Sequence, residues 1–396
     1  MRTRREPLRV VADDLSGAAE AAGVLCRYGY PATVALEPGH VFDRATVLDL
    51  HVRNSGPSAA IQIHDGLHRE HVDYVKIDSQ LRGPVRLLVQ AASEYSVVVF
   101  APALPHLQRT VHRGKLLIDG APLRVSSTSA WKTESGTAPH RLVDVVPPFL
   151  PARHFSVAAV RSGEFARELS TGQRGEVFIP DTHSDGDMRA IANAITATPH
   201  VVTPVGSAGL LEAIVANAER PQLRYKPNAG TARKVVLVLG SLEPVVASQR
   251  AALKVDSTTV VVRSDLEEAS LTALIADALQ RPPRVIVVMT EASSGPHDVS
   301  VAQRIGQATA AAVRHDSQVA MALIGGETAR QTLQSAGDNL LEVVGEVHPG
   351  AVLSITASGR RVVTRPGSFG AVDSLHQIIT TLLGDAPRDR QEEGTQ

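Results

Sequence analysis

The chain has 396 residues, 43% hydrophobic and 3% aromatic, with 40 Lys plus Arg against 41 Asp plus Glu. That apolar share builds full cores and excludes global disorder, and at roughly 150 residues per domain the length calls for two or three domains. A formal net charge of −1 and scarce aromatics argue against a dedicated nucleic-acid binder, but not against a local anion site.

The single cysteine, Cys26, excludes an intrachain disulfide and Cys-rich zinc sites. In the apolar stretch Gly23-Val24-Leu25-Cys26 it reads as a buried structural thiol. No apolar run reaches the ~18 residues of a membrane span. The apolar run after the basic start Met1–Glu6 ends at Asp13-Asp14, so it is no signal peptide. A cytoplasmic protein without membrane or nucleic-acid partners is expected.

Short β-branched runs alternate with amphipathic segments along the chain. Strands are predicted at Leu8–Ala12, Thr46–Leu50, Asp73–Ile77, Ser96–Ala101, Glu176–Ile179, His200–Val205, Lys234–Leu239, Thr258–Val262, Arg284–Met289 and Val319–Ile324. Helical spacing marks Ser207–Ala218, Pro244–Leu253, Leu266–Leu279, Val299–Arg314 and Thr328–Ala336. Near-continuous apolar strands alternating with helices predict an α/β fold whose mainly parallel sheets are covered on both faces. Lys115–Leu123, with Asp119-Gly120 at its centre, reads as a β-hairpin with a primed turn. Arg124–Pro151 reads as a long loop. The Pro- and Gly-bearing segment Glu219–Arg233 divides the chain into domains 1–225 and 226–385 and is the expected hinge. A charged tail, 386–396, is expected to be disordered.

Open α/β sheets bind ligands beyond the carboxyl ends of their strands. Asp13-Asp14-Leu15-Ser16-Gly17 follows the first strand; paired carboxylates there bind hydroxyls, hold Mg²⁺, act as a general base or simply cap a helix. Lys76 to Gly83 places Lys76, Asp78, Ser79 and Arg82 at a strand-to-helix junction. With Arg53 and Arg109 after neighbouring strands, these cations suit a carboxylate or phosphate clamp, or a charged loop. Gly206-Ser207-Ala208-Gly209 suits an oxyanion or a tight turn with a Ser cap. Further on, Gly240-Ser241, Gly325-Gly326-Glu327-Thr328 and Arg365 to Gly370 are small-residue loops that let a backbone approach phosphate, or serve as plain turns. Neither a P-loop nor a G-x-G-x-x-G fingerprint is present.

Taken collinearly, these motifs resemble the four-carbon acid sugar kinase family. Its A-D-D-[LF]-T-G is similar to Ala12–Gly17, and its D-x-x-x-R to Asp49–Arg53. Its K-x-D-S-T-L-R-G-N is similar to Lys76–Pro84, and its P-A-x-P-x-x-x-R-T to Pro102–Thr110. The hairpin L-x-x-G-x-P-L matches Leu117–Leu123, and G-S-A-G matches Gly206–Gly209. G-S-x-S-P-V-T-x-x-Q is similar to Gly240–Gln249, G-G-[DE]-T to Gly325–Thr328 and K-x-G-x-F-G to Arg365–Gly370. The chain departs at Ser16, Gln80, Pro84, Glu243, Val246 and Arg365, and Ser126–Val146 lacks the family's usual sequence.

The resemblance implies an N-terminal domain for the acid sugar, a C-terminal domain for ATP, and an active site in the interdomain cleft. It implies substrate contacts from Asp13, Asp14, Arg53, Lys76, Asp78, Ser79 and Arg82, joined by Arg109. Ser241, Gly325, Gly326, Glu327, Thr328, Gly367, Ser368, Phe369 and Gly370 would contact nucleotide. Asp13, then Asp78, is the expected catalytic base, with Mg²⁺ on the phosphates and its protein ligands undetermined. An NAD(P)-dependent oxidoreductase on a related acid and a non-catalytic acid sensor are the alternatives. A homodimer is the working expectation for assembly.

Overall fold

The apolar runs become strands of parallel sheets. A computed structural model describes residues 8–39, 44–68, 72–126, 131, 136–218, 230–241, 243–263, 265–290 and 299–384. Most of the expected hinge and the expected disordered tail lie outside the described residues. The chain divides into two units, Met1–Lys226 with Asn339–Val343, and Pro227–Asp338 with Val344–Gln396.

In the first unit the strand order is Ala32–Ala35, Ala45–Asp49, Arg9–Ala12, Tyr74–Lys76, Val202–Gly206, Val97–Ala101, Val177–Pro180 and Ala152–Phe155. All these pairings are parallel. Residues 340–342 add an antiparallel edge against Ala32–Ala35. The central strands are apolar and buried from end to end, as sheets covered on both faces require.

In the second unit the order is Ser257–Val262, Val285–Thr290, Lys234–Leu239, Val319–Ile324, Arg361–Arg365 and Ala351–Thr356. Only the last pairing in this run is antiparallel. The helix Ser374–Leu383 buries Leu375, Ile378, Ile379 and Leu382 in the same core as Val235, Leu237 and Val363.

The predicted strands occur within one or two residues of their expected bounds, and Lys234–Leu239 and Val319–Ile324 match them outright. Strands at 32–35, 152–155, 340–348, 351–356 and 361–365 carry weaker local signals. Ala-Thr-Val-Ala is short, and Ala-Arg-His-Phe is half polar.

The hairpin is a three-stranded antiparallel sheet, Arg109–His112, Lys115–Ile118 and Ala121–Pro122. Asp119 and Gly120 both take positive φ, 50° and 79°, the signature of the primed turn. Arg113 and Gly114 form an equivalent positive-φ turn that the sequence does not announce. The expected loop 124–151 instead begins inside the short helix Leu123–Ser126 and contains the 3₁₀ turn Leu142–Val145, whose Asp144 Oδ2 accepts the Arg141 backbone N–H at 2.8 Å. Cys26 is half-buried rather than buried, because it lies in the last turn of the helix Leu15–Arg27, just past the continuously buried run Leu15–Leu25. No helix among the described residues is long and apolar enough to cross a membrane.

Candidate functional site

The charged motifs of the first unit meet where its strand order reverses. Asp13 follows Arg9–Ala12, Arg53 lies beyond Ala45–Asp49, and Lys76 ends the strand before Asp78. Ala45–Asp49 and Tyr74–Lys76 flank Arg9–Ala12 on opposite sides, which makes this the topological switch point of the sheet.

Backbone bonds fasten the loops together before any side chain acts. Val52 and Arg53 donate their N–H groups to the Asp13 carbonyl at 3.0 and 3.2 Å. The Arg53 guanidinium then forks, with Nε and Nη2 donating to Asp13 Oδ2 at 2.9 and 2.8 Å and Nη1 to Asp14 Oδ2 at 2.5 Å. Asp14 Oδ1 accepts the Gly17 N–H at 2.8 Å and caps the helix Leu15–Arg27. The cap reading of Asp14 therefore holds, and its other oxygen pairs with Arg53. A Cβ on Gly17 would stand 3.0 Å from Asp14 Oδ1 and 3.3 Å from Lys76 Nζ, so the missing side chain lets these charges close in.

Asp13 is fully buried, and its Oδ1 has no hydrogen-bond partner. Burial pushes its carboxyl up to about 6, although Arg53 pulls the other way. Asp78 behaves oppositely. Burial disfavours its charge, but Arg82 outweighs that and holds the carboxyl well below the usual range. Arg82 Nε donates to Asp78 Oδ2 at 2.8 Å and Nη2 to Oδ1 at 3.0 Å. Asp78 Oδ2 also receives the Gln80 and Arg82 backbone N–H groups. Leu81, buried at φ +61°, turns the chain back so that these bonds can form.

Lys76 Nζ pairs with Glu20 Oε2 at 2.9 Å. Burial opposes the ammonium charge, yet Glu20 and Asp13 hold its pKa above the ordinary lysine value. Glu20 escaped the sequence reading, but a signal was there. It is the lone carboxylate in the small-residue run Ser16–Gly23, and a buried carboxylate needs a cation. Arg109 Nη1 donates to Ser79 Oγ.

The clamp thus differs from a bare positive patch. Arg53, Lys76 and Arg82 each already face a carboxylate, because buried cations are stable only when paired. An anionic ligand would enter a pre-ordered, nearly neutral network in place of an excess of positive charge. Ser207 lies apart from this network, capping the helix Ala208–Asn217 and donating to the Ala103 carbonyl, in line with its bland reading.

In the second unit three small-residue loops converge at the carboxyl ends of Lys234–Leu239, Val319–Ile324 and Arg361–Arg365, which are neighbours in the sheet. The order reverses about Lys234–Leu239, so this too is a switch point. Gly240 N–H donates to the Ile324 carbonyl and Gly325 N–H to the Arg365 carbonyl, both at 2.9 Å. A Cβ on Gly240 would stand 2.1 Å from Thr328 Oγ1, and one on Gly367 would stand 1.9 Å from Ser241 Oγ. The helix Gly326–Ala336 starts there, with Gly325 at its N-cap at φ +110°. Glu327 lies in its first turn and accepts Gln331 Nε2 at 2.9 Å.

Arg365 and Gln249 set the last loop, and the sequence reading assigned neither a role. Gln249 Nε2 donates to the carbonyls of Phe369, Gly370 and Ala371 at 3.1, 2.9 and 3.0 Å. Arg365 Nη1 donates to Gln249 Oε1, the Phe369 carbonyl and Ser374 Oγ. Burial lowers the Arg365 guanidinium to about 10.

Two switch-point sites, one lined with charged side chains and one with glycine amides, call for comparison with known proteins. A family profile described as sugar-binding N-terminal domain matches residues 8–214, and one described as nucleotide-binding C-terminal domain matches residues 236–375. The chain belongs to the four-carbon acid sugar kinase family. It is 27% identical to a D-threonate kinase of Bordetella bronchiseptica over 92% of this chain and 95% of that one. It is 23% identical to a 3-oxo-tetronate kinase of Burkholderia multivorans over 96% of this chain and 99% of that one. Haemophilus influenzae protein HI1011, a solved structure, shares the fold with a TM-score of 0.67 at 18% identity, covering 95% of this chain and 100% of that one.

Proposed function

We propose that the protein is an ATP-dependent kinase that phosphorylates a hydroxyl of a four-carbon acid sugar such as threonate, erythronate or 3-oxo-tetronate. The observation that carries this reading is Asp13. It is a fully buried carboxylate with an unpartnered oxygen and a pKa raised to about 6, set among Arg53, Lys76 and Arg82. Such a group accepts a hydroxyl proton near neutral pH, while the surrounding cations bind the acid's carboxylate. Asp78 is the poorer base, since Arg82 keeps it ionised and occupied. Arg109 and Ser79 complete the substrate contacts beside it.

The nucleotide belongs to the second unit, with Ser241 and the Gly325–Thr328 and Gly367–Gly370 loops around its phosphates. Phosphoryl transfer is mostly positioning and charge neutralisation, which matches two rigid, pre-ordered sites better than a nucleophilic enzyme. Mg²⁺ would neutralise the phosphate oxygens. It needs only one or two carboxylates besides phosphate and water. Glu327, next to the helix start, fits that need. A demand for ATP points to the cytoplasm as the compartment.

An ADP-release assay over a panel of four-carbon acids tests the reading; no ADP with any of them rejects it. A thermal-shift comparison adds a second check. ATP with Mg²⁺ should raise the melting temperature and NAD(P) should not, whereas the reverse would favour an oxidoreductase. Gly367→Ala forces its Cβ into Ser241, 1.9 Å from the hydroxyl. It is expected to raise the KM for ATP by about tenfold, the scale of an overpacking strain, with the KM for the acid unchanged.

A further inference from the structure

Pro84 and part of the segment Ser126–Val146, both departures of this chain from the family pattern, line one cavity. The cleft has a volume of about 390 Å³ and is lined by Gly83, Pro84, Arg86, Arg124, Trp131 and His140 among others. That is within the range of small-molecule sites. Pro84 is one of the departures, and Gln80 is tied in because Trp131 Nε1 donates to its carbonyl at 3.1 Å. Trp131 and residues 137–140, 144 and 145 belong to the segment Ser126–Val146 that lacks the family's usual sequence.

The cleft adjoins the clamp directly. Gly83 lines it, and a Cβ on Gly83 would stand 3.2 Å from Arg53 Cγ and 3.3 Å from Arg53 Cα. Leu81 and Gly83, on either side of Arg82, both take positive φ, so the backbone turns between clamp and cleft at this point. The lining is basic. Arg86, Arg124 and His140 stand against one carboxylate, Asp144. Its Oδ2 is already taken by the His140 and Arg141 N–H groups at 3.1 and 2.8 Å, which turns that charge toward its own turn. Arg86 Nη2 donates to the Asp144 carbonyl, which steadies the guanidinium at the wall.

We infer that this cleft is a specificity subsite that receives the end of the substrate remote from the Arg53–Arg82 clamp and selects hydroxy acids bearing a second anionic group there. The inference rests on the acid-sugar reading of the neighbouring clamp. Planar guanidinium groups recognise carboxylate or phosphate by forked hydrogen bonds, and the indole supplies a flat wall for the carbon chain.

Trp131 is the chain's one tryptophan, so its fluorescence reports on this cleft in the full-length protein. Titration with threonate, with tartrate as the matching four-carbon dicarboxylate and with a phosphorylated tetronate gives affinities independent of turnover. The dianions should bind about tenfold tighter than threonate. Arg124→Gln, and separately Arg86→Gln, should bring the affinities within about twofold, with unchanged melting temperatures. Equal affinities in the unaltered protein, or a preference that survives both variants, overturn the inference. If tetronates drive ADP release but no acid alters Trp131 emission, the subsite falls and the kinase reading stands. If emission reports the dianion preference but no acid drives ADP release, the kinase reading falls and the subsite stands.

Discussion

Asp13→Asn is expected to lower kcat by about 10²-fold or more with any accepted acid, because it removes the proton acceptor while keeping shape and hydrogen-bonding capacity. Near-normal turnover would reject Asp13 as the base. The variant should not lose stability. The Asp13 carboxyl is raised from 3.8 to about 6 by burial, with Asp14 adding to the effect and Arg53 opposing it. A raised carboxyl contributes stability that is fully present below the unfolded value and is lost as pH rises through the folded value. At neutral pH the ionised Asp13 therefore costs the fold on the order of 2–3 kcal/mol. Asparagine imitates the neutral form, so the melting temperature at pH 7 should stay level or rise while activity falls. The same shift fixes the pH profile. kcat/KM should be on its plateau above pH ~7 and fall about tenfold per unit well below pH ~6, as the base takes up its proton. An acid limb near pH 4 would point to an ordinary carboxylate instead.

Lys76→Met has the second-largest expected effect, and it acts on two properties at once. It removes a cation from the acid site and leaves Glu20 as a buried carboxylate without its partner at 2.9 Å. Breaking a buried pair on one side costs about 3–5 kcal/mol, so the single variant should melt well below the parent. Lys76→Met combined with Glu20→Gln removes both charges and should regain most of that stability. In the double variant the KM for the acid should rise by tenfold or more, as expected for one lost charge-assisted contact. The KM for ATP should hold. Collapse of ATP affinity instead would overturn the assignment of acid to the first unit and nucleotide to the second. Recovery of acid affinity in the double variant would show that Lys76 serves Glu20 alone.

Much of the architecture is written in local patterns. Val-Val-Leu-Val-Leu after Lys234 and the run Val319–Ile324 have no polar face to offer water, so they become buried parallel strands at those residues. Asp119-Gly120 turns a hairpin because both residues tolerate positive φ. The placement of charged and glycine-rich motifs at strand ends is legible for the same reason. These features depend on periods of two or 3.6 residues and on single-residue backbone freedom, all of which act within a few positions.

What the chain could not disclose locally is which strand ends meet. The order of strands about Arg9–Ala12 and about Lys234–Leu239 creates the two switch points, and that order is settled by packing between segments far apart in sequence. The antiparallel edge at 340–342 is an example. Its Glu342 pairs with Arg44 across 298 positions, and no periodicity near either residue announces it. Charge pairing was hidden in the same way. The motifs display Lys76, Arg53 and Arg82 as positive groups, but burial obliges each to take a carboxylate, and only the folded chain decides which one. The sequence by itself determined an α/β chain with charged and glycine-rich loops at its strand ends. Tertiary structure decided that Asp13 keeps one open oxygen and a raised pKa, that Glu20 answers Lys76, and that Trp131 closes on Gln80, because desolvation and long-range pairing exist only once the core has formed.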